Sequence, residues 1–382
     1  MLHVLPRVDS PHSIPEKPPH CPYCHGTRLI KKGHRQNKYE RVTLRRCQTC
    51  RTVFSPPQKH RTFPFPVILD ALDRYDRLQS ANEVALALSR RYRLPIRERT
   101  VRQWIADFRP VLPITRYRTR LKAEETHRRE AGLPGPLLLE SRLLHGLTYD
   151  FKFHRGKMAL LLERDPNRRF SSLRDFLDEV PRACPHDLFR ENSGKTRRAS
   201  REGERFRIDD TAIVARENLA PEMARFVLPS VTRNKDRHAA VQRFMLVHDV
   251  ATVAVEVPIM LGADDVAHFR NRLGFDCPLD ISPEAPLTGH IDLVQIRNGK
   301  IYILDYKPGA ESEKPITQLM IYALALSRHL CLPLADFLCA WFDDRHYWEF
   351  YPLPVVHKKR AEKPSPNIVR RAKLPRGRSF PR

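Results

Sequence analysis

The chain is poor in glycine, poor in acidic residues and without long apolar runs, and each shortage excludes something. Glycine supplies only 14 of 382 residues against 33 prolines, so stiff connectors are expected rather than supple Gly/Ser linkers. No segment approaches the roughly 18 uninterrupted apolar residues of a membrane span, so no membrane association is expected. The opening stretch MLHVLPRVDSPHSIPEKPPH has no apolar segment of the secretory kind, and a cytoplasmic, prokaryotic-type setting is expected. Asp and Glu number 44 against 68 Lys and Arg, a formal net charge of +24. Clustered Lys and Arg displace counterions from a phosphate backbone, so the first expected partner is a nucleic acid. At 41% hydrophobic the chain can bury a real core, and its length suits two or three domains of roughly 100–200 residues each.

Eight cysteines are present, four of them in Cys21-Pro-Tyr-Cys24 and Cys47-Gln-Thr-Cys50. Two residues between cysteines let a tight turn aim both sulfurs at one ion, and two such knuckles complete a tetrahedron. The expected ligands of a structural Zn²⁺ are therefore Cys21, Cys24, Cys47 and Cys50. An all-thiolate site with no open position serves folding and docking, not catalysis. His20, His25 and His34 are at best spare ligands. Cys184, Cys277, Cys331 and Cys339 are expected to be core thiols.

Between Phe63 and Phe108 the apolar residues recur at helical spacing, as in Ile68, Leu69, Leu72 and Tyr75 and again in Val84, Ala85 and Leu88. Ser80 and Glu83 have capping-box spacing. Ser80–Arg91 reads as one helix, Leu94-Pro95-Ile96 as a turn, and Arg99–Phe108 as a second helix. Arg99, Thr100, Arg102 and Gln103 are the candidate DNA-reading residues, because Arg suits guanine edges and Gln adenine. The CxxC pairs, the Lys/Arg-laden insert between them and this helix pair resemble the zinc ribbons that precede helix-turn-helix regions in bacterial transposases.

The strongest chemical signal lies in residues 256–322. Gly289-His-Ile-Asp292 and Ile303-Leu-Asp305-Tyr-Lys307 lie on two apolar runs joined by Asn298-Gly299, a strong hairpin signal. Such a hairpin can bring Asp292 and Asp305 to one end of a sheet, close enough to share a divalent cation. Asp305 and Lys307 are two apart and share a face. Gln318 and Tyr322 are four apart on the following helix and also share a face. Carboxylates suit Mg²⁺, and a neighbouring lysine can offset charge on a phosphoryl transition state.

These motifs, GxxD, DxK and QxxxY in order, resemble the PD-(D/E)xK nuclease superfamily and its RecB/Cas4-like branch, over about residues 208–352. The resemblance implies an α/β (α+β) restriction-endonuclease-like core with a mixed sheet flanked by helices. It implies metal ligation of Mg²⁺ or Mn²⁺ by Asp292 and Asp305, aided by the Tyr306 carbonyl, with Lys307 catalytic and Gln318 and Tyr322 steadying the site. His238 and Glu256 are further candidate ligands. Cas4-type iron–sulfur ligation needs a C-terminal cysteine trio that this sequence lacks. The loop-like Ser193-Gly194-Lys195-Thr196 lacks the first glycine of a phosphate loop.

The expected organisation is a flexible leader (1–19), a zinc ribbon (20–56), a helix-turn-helix region (60–112) and a helical connector of unassigned role (113–207). A nuclease domain (208–352) and a basic tail (353–382) follow. The expected function is metal-dependent hydrolysis of DNA in transposition, recombination or defence, alongside other proteins of such a machine. The alternative is a DNA-binding targeting subunit whose nuclease fold does not cut.

Overall fold

The computed structural model describes residues 21, 24, 26–36, 38, 39, 41–55, 63–164, 169–189, 197–231 and 233–357. The leader, His20, His25, residues 193–196 and the tail beyond 357 lie outside the described residues.

Three short antiparallel strands open the chain: β1 (Leu29–Gln36), β2 (Arg41–Cys47) and β3 (Val53–Phe54). Their core is small, with Leu29 and Phe54 against Cys21 and Cys47. Three helices follow, α1 (Phe65–Asp76), α2 (Ala81–Tyr92) and α3 (Glu98–Phe108). The expected capping box starts α2: Ser80 Oγ accepts from the Glu83 N–H, and the Glu83 carboxylate accepts from the Ser80 N–H. Arg93, in the left-handed region at φ 53°, ends it. Ser89 Oγ then binds both the carbonyl and the N–H of Ile96, fixing the turn before α3.

These helices do not stand apart. Their inner faces join one apolar core with α7 (Leu219–Val227), α8 (Arg237–His248) and one face of the central sheet. Phe226 packs its ring 5.3 Å from Phe65 and 5.1 Å from Phe108. Beneath them His248 Nδ1 lies 2.7 Å from Asp76 Oδ2, both side chains only 1% exposed.

The central sheet has nine strands. In chain order they are β4 (Leu138–His145), β5 (Leu147–His154), β6 (Arg197–Arg198), β7 (Val214–Ala215), β8 (Thr252–Leu261), β9 (Leu287–Arg297), β10 (Lys300–Tyr306), β11 (Phe337–Phe342) and β12 (Tyr347–Phe350). Spatially they run β4-β5-β8-β9-β10-β11-β12-β7, with β6 paired to β9. The β10–β11 and β6–β9 pairs are parallel and the rest antiparallel, so the sheet is mixed, as expected. Parallel pairing needs a crossover, and α10 (Ile316–Leu330) supplies it between β10 and β11. The remaining helices are α4 (Arg118–Glu130), α5 (Arg155–Leu162), α6 (Ser171–Ala183), α9 (Ala263–Asn271) and α11 (Pro352–Val356). Alternation along β10 separates the two faces: Ile301 and Ile303 pack towards α10, whereas Tyr302, Leu304 and Tyr306 pack towards α8. The fold is that of a restriction-endonuclease-like core.

One sequence expectation differs from the structure. Residues 113–207, read as a helical connector, also contribute the β4–β5 hairpin at the sheet edge. Charges at alternate positions hide these strands from an apolar-run reading. They are cross-strand partners, Glu140 opposite Lys152 and Arg142 opposite Asp150, with ion pairs of 3.7 and 3.4 Å. The helix α7 begins only at Leu219, because Asn218 caps it by accepting from the Ala220 N–H. Val214 and Ala215 pair instead with β12.

Candidate active site

Three carboxylates stand in one row across adjacent strands. The β8–β9 register pairs Val255 with Leu293 and Val257 with Ile291, which sets Glu256 opposite Asp292. The β9–β10 register ends at Leu293 and Leu304, so the next position sets Asp305 beside Asp292. There the Asp292 carboxylate replaces the ladder and accepts the Tyr306 N–H at 2.9 Å. Glu256 has φ 51°, a left-handed conformation rare for a non-glycine residue and costing about 1–3 kcal/mol. The ordinary alternation of faces fails there: Ile291 and Val294, three apart, share the α10-side core.

Grouping these acids has an electrostatic cost. Burial, then the charges of Asp305 and Glu256, hold the Asp292 carboxyl well above its ordinary value. Burial pushes Glu256 up to about 7, against a 2.7 Å hydrogen bond from Gln242, with Asp150 and Asp305 adding repulsion. Oxygen donors that repel one another in a half-buried row are relieved by a hard divalent cation, so Asp292, Asp305 and Glu256 could hold one.

Lys307 follows β10 directly. Its Nζ lies 2.9 Å from Asp305 Oδ2 and donates to Gln318 Oε1 at 3.3 Å. Burial works against its ammonium, but the Asp305 and Asp292 charges outweigh burial and raise its pKa. Gln318, in the first turn of α10, donates to Asp305 Oδ1 at 3.3 Å and to Tyr322 Oη at 3.0 Å. Burial, with Asp305 and Asp292 adding, drives the Tyr322 phenol well above its ordinary pKa. A Cβ at position 289 would sit 2.5 Å from Tyr322 Cε1, so the glycine of GxxD makes room for the tyrosine of QxxxY.

On the other face of the row, α8 carries His238 and Gln242 one turn apart. His238 Nε2 stands 4.0 Å from Asp292 Oδ2, and its ring meets Tyr306 edge-on at 5.0 Å. Burial lowers its pKa. All seven residues singled out in this region, Asp292, Asp305, Lys307, Gln318, Tyr322, His238 and Glu256, line one cleft of about 170 Å³. Sequence reading missed the cleft's far wall, formed by His145, Tyr149, Arg198 and His290. His290 was the legible one, two residues before Asp292 on the same strand. His145 has no local signal at all.

The four expected thiols also converge. Cys21 and Cys50 Sγ are 3.6 Å apart, Cys24 and Cys47 Sγ 3.5 Å, and all four lie within 4.8 Å of one another. Tetrahedral zinc–sulfur bonds of about 2.3 Å place sulfurs about 3.8 Å apart, so the cluster is compatible with zinc. Hydrogen bonds from Thr52 lower Cys50 to about 6, towards the thiolate that a metal needs. Gly26 fits because a Cβ there would stand 2.6 Å from Thr49 Oγ1.

On α3, Arg99, Arg102 and Gln103 are exposed and Thr100 is half-buried, while Val101 and Trp104 are buried. Arg102 pairs with Glu98 at 2.5 Å and Gln103 donates to Asp107 at 2.7 Å. The other cysteines scatter: Cys277 and Cys339 are buried as expected, but Cys331 is exposed and Cys184 half-exposed. Cys331 caps α10 in a left-handed conformation, and Cys184 ends α6, so neither enters the core.

Among the described residues no helix is long and apolar enough to cross a membrane. No curated protein matches the chain significantly, and no solved structure does. A family model described as the PD-(D/E)XK nuclease superfamily matches residues 153–366. That span covers more than half the chain and takes in the carboxylate row, Lys307, Gln318 and Tyr322. The chain therefore belongs to the PD-(D/E)XK nuclease superfamily, a superfamily of metal-dependent nucleases.

Proposed function

We propose that this protein is a deoxyribonuclease of the RecB/Cas4-like branch, using Mg²⁺ or Mn²⁺, with its own DNA-docking elements in the thiol-bearing ribbon and α3. The observation that carries the reading is the row Glu256, Asp292, Asp305, closed on one side by the Lys307–Gln318–Tyr322 chain. Asp292 and Asp305 would hold the cation, with Glu256 and His238 as further donors and the Tyr306 carbonyl beside them. When bound, that ion supplies Lewis acidity to a phosphoryl oxygen and makes water more acidic.

The chain's own residues do the positioning. Lys307 has three N–H donors; two are engaged by Asp305 and Gln318, leaving one for a phosphate oxygen or the attacking water. Gln318 holds the lysine by its oxygen and Asp305 and Tyr322 by its nitrogen, so the ammonium is aimed before substrate arrives. Preorganised charge of that kind stabilises the transition state without reorganisation.

DNA as substrate is supported by the net charge of +24 and by the exposed Arg99, Arg102 and Gln103 on α3. Lys31, Lys32, Lys38 and Arg41 expose further cations on the ribbon, where a structural Zn²⁺ on the four thiols would hold the fold. The setting we favour is transposition, recombination or defence, with other proteins of such a machine as partners.

The test is cleavage of circular and linear DNA, single- and double-stranded, in Mg²⁺, Mn²⁺ or EDTA, comparing wild type with Lys307→Ala. Metal-dependent cutting lost in the variant is the expected result. Equal cutting by the variant, or cutting in EDTA, defeats the proposed site. Tight DNA binding without cutting would make the protein a targeting subunit instead.

A further inference from the structure

We propose that His145, Cys184 and His186 form a second metal centre, a Zn²⁺ site of imidazole and thiolate ligands in the cleft wall, separate from the carboxylate row.

One ligand atom from each of the three lies within 4.8 Å of the others. They come from two distant places. His145 ends β4 and is fully buried, whereas Cys184 and His186 flank Pro185 in the turn after α6. His145 Nε2 and His186 Nδ1 face each other at 2.7 Å. With Zn–N bonds of about 2.0–2.1 Å, tetrahedral nitrogens stand about 3.3 Å apart, so binding requires this pair to part by about 0.6 Å. Small torsional changes on the turn carrying His186 can supply that.

The surroundings prepare the ligands. Phe189 stacks on the His145 ring at 4.4 Å and fixes its plane. The other nitrogen of His145, Nδ1, lies 2.8 Å from His290 Nε2, and His290 is itself stacked on Tyr149 at 3.6 Å. A metal-ligating imidazole normally gives its second N–H to such a partner, which sets the tautomer and aims the free nitrogen at the ion. Here Nδ1–H of His145 would donate to His290, leaving Nε2 as the ligand.

The donor chemistry separates this centre from the carboxylates. Two imidazoles and a thiolate suit zinc, whereas Mg²⁺ takes oxygen. Binding displaces the Cys184 thiol proton to solvent and leaves both imidazoles neutral, one proton released per ion. Three protein ligands leave a fourth position for water. The ion would clasp the turn after α6 to β4. Through His290, two residues from Asp292 on β9, it would also steady the cleft wall beside the carboxylates.

The experiment uses the full-length wild-type protein, zinc-loaded or chelator-treated, with alkylation of each cysteine mapped by peptide mass. Cys184 is expected to react at least about tenfold more slowly when zinc-loaded, since a ligated thiolate is withdrawn from attack. The exposed Cys331 serves as reference and should react equally in both. Equal Cys184 rates would overturn the proposal, and this arm needs no variant. In His186→Ala the protection of Cys184 should vanish and bound zinc fall by one ion per chain, with Cys50 protection unchanged. Zinc content and Cys184 protection as in wild type would overturn it equally.

Discussion

The ribbon and the central sheet hold their chemically active side chains together in opposite ways. In the ribbon, among the described residues, Leu29 and Phe54 pack with Cys21 and Cys47 as the buried cluster, so the thiols are part of the core. In the sheet, the carboxylates sit above two extensive apolar layers, one against α10 and one against α8. The sheet can therefore carry mutual repulsion among Glu256, Asp292 and Asp305, and a left-handed Glu256, as a cost its packing offsets. The ribbon has no such reserve. A region with so little apolar surface would depend on a bound ion to fold; a region with plenty can keep a row of acids under strain.

The sharpest way to break that comparison is to remove metal. Chelation, or Cys47→Ser, should unfold the ribbon, since structural zinc contributes on the order of 10–16 kcal/mol in small domains. Hydrogen exchange should lose protection over residues 29–54 and keep it in β8–β10; retained ribbon protection would refute the dependence. Next in size, Lys307→Ala should slow cleavage by about 10²–10³-fold, as loss of a preorganised donor does, with the melting temperature unchanged. A parallel loss of stability would show that the sheet needs its site after all.

Asp76→Ala removes the partner of buried His248 and should cost about 3 kcal/mol in urea unfolding. Because α1–α3 share the sheet's core, the loss should appear as one shifted transition; two separated transitions would contradict the shared core. Acid supplies a subtler probe. Burial holds His154 neutral well below its ordinary pKa and His290 at about 2. The unfolded chain protonates both near pH 6.5, so their contribution is present above that pH and lost below it. Glu256, at about 7, and Asp292 are raised. In the fold they keep protons that the unfolded chain gives up above about pH 4, which opposes the histidines. Metal-free wild type should thus lose less stability between about pH 6.5 and 4.5 than a chain without these two acids. Glu256→Gln with Asp292→Asn should therefore steepen the fall towards acid. A flat double variant would show that the histidines do not titrate as described. Smallest of all, Ser80→Ala should cost about 1 kcal/mol by uncapping α2, checked by thermal melting.

What was legible in the sequence was local or repeated. Asn298 and Gly299 both take positive φ, 50° and 67°, and that dipeptide announced the β9–β10 hairpin that sets Asp292 beside Asp305. Ser80 and Glu83 announced α2. The CxxC pairs announced their cluster because each knuckle is four residues long. What stayed hidden depends on distant pairing. β4 and β5 carry charges that make sense only once Glu140 faces Lys152. Glu256 could be suspected, but its backbone conformation could not. His145, Cys184 and His186 are unremarkable singly, and only the sheet edge meeting the turn after α6 makes them a group.

The joint between α1 and the sheet has a geometric consequence. Asp76 to His248, Asp73 to Arg243 at 2.8 Å and Phe226 between Phe65 and Phe108 tie α1 and the end of α3 to the helices that cover the sheet. A duplex engaged through Arg99 and Arg102 would thus reach Asp292 at one offset and one rotational phase. The protein would work as a caliper, and the length of DNA between grip and cut would be written into the packing of a phenylalanine.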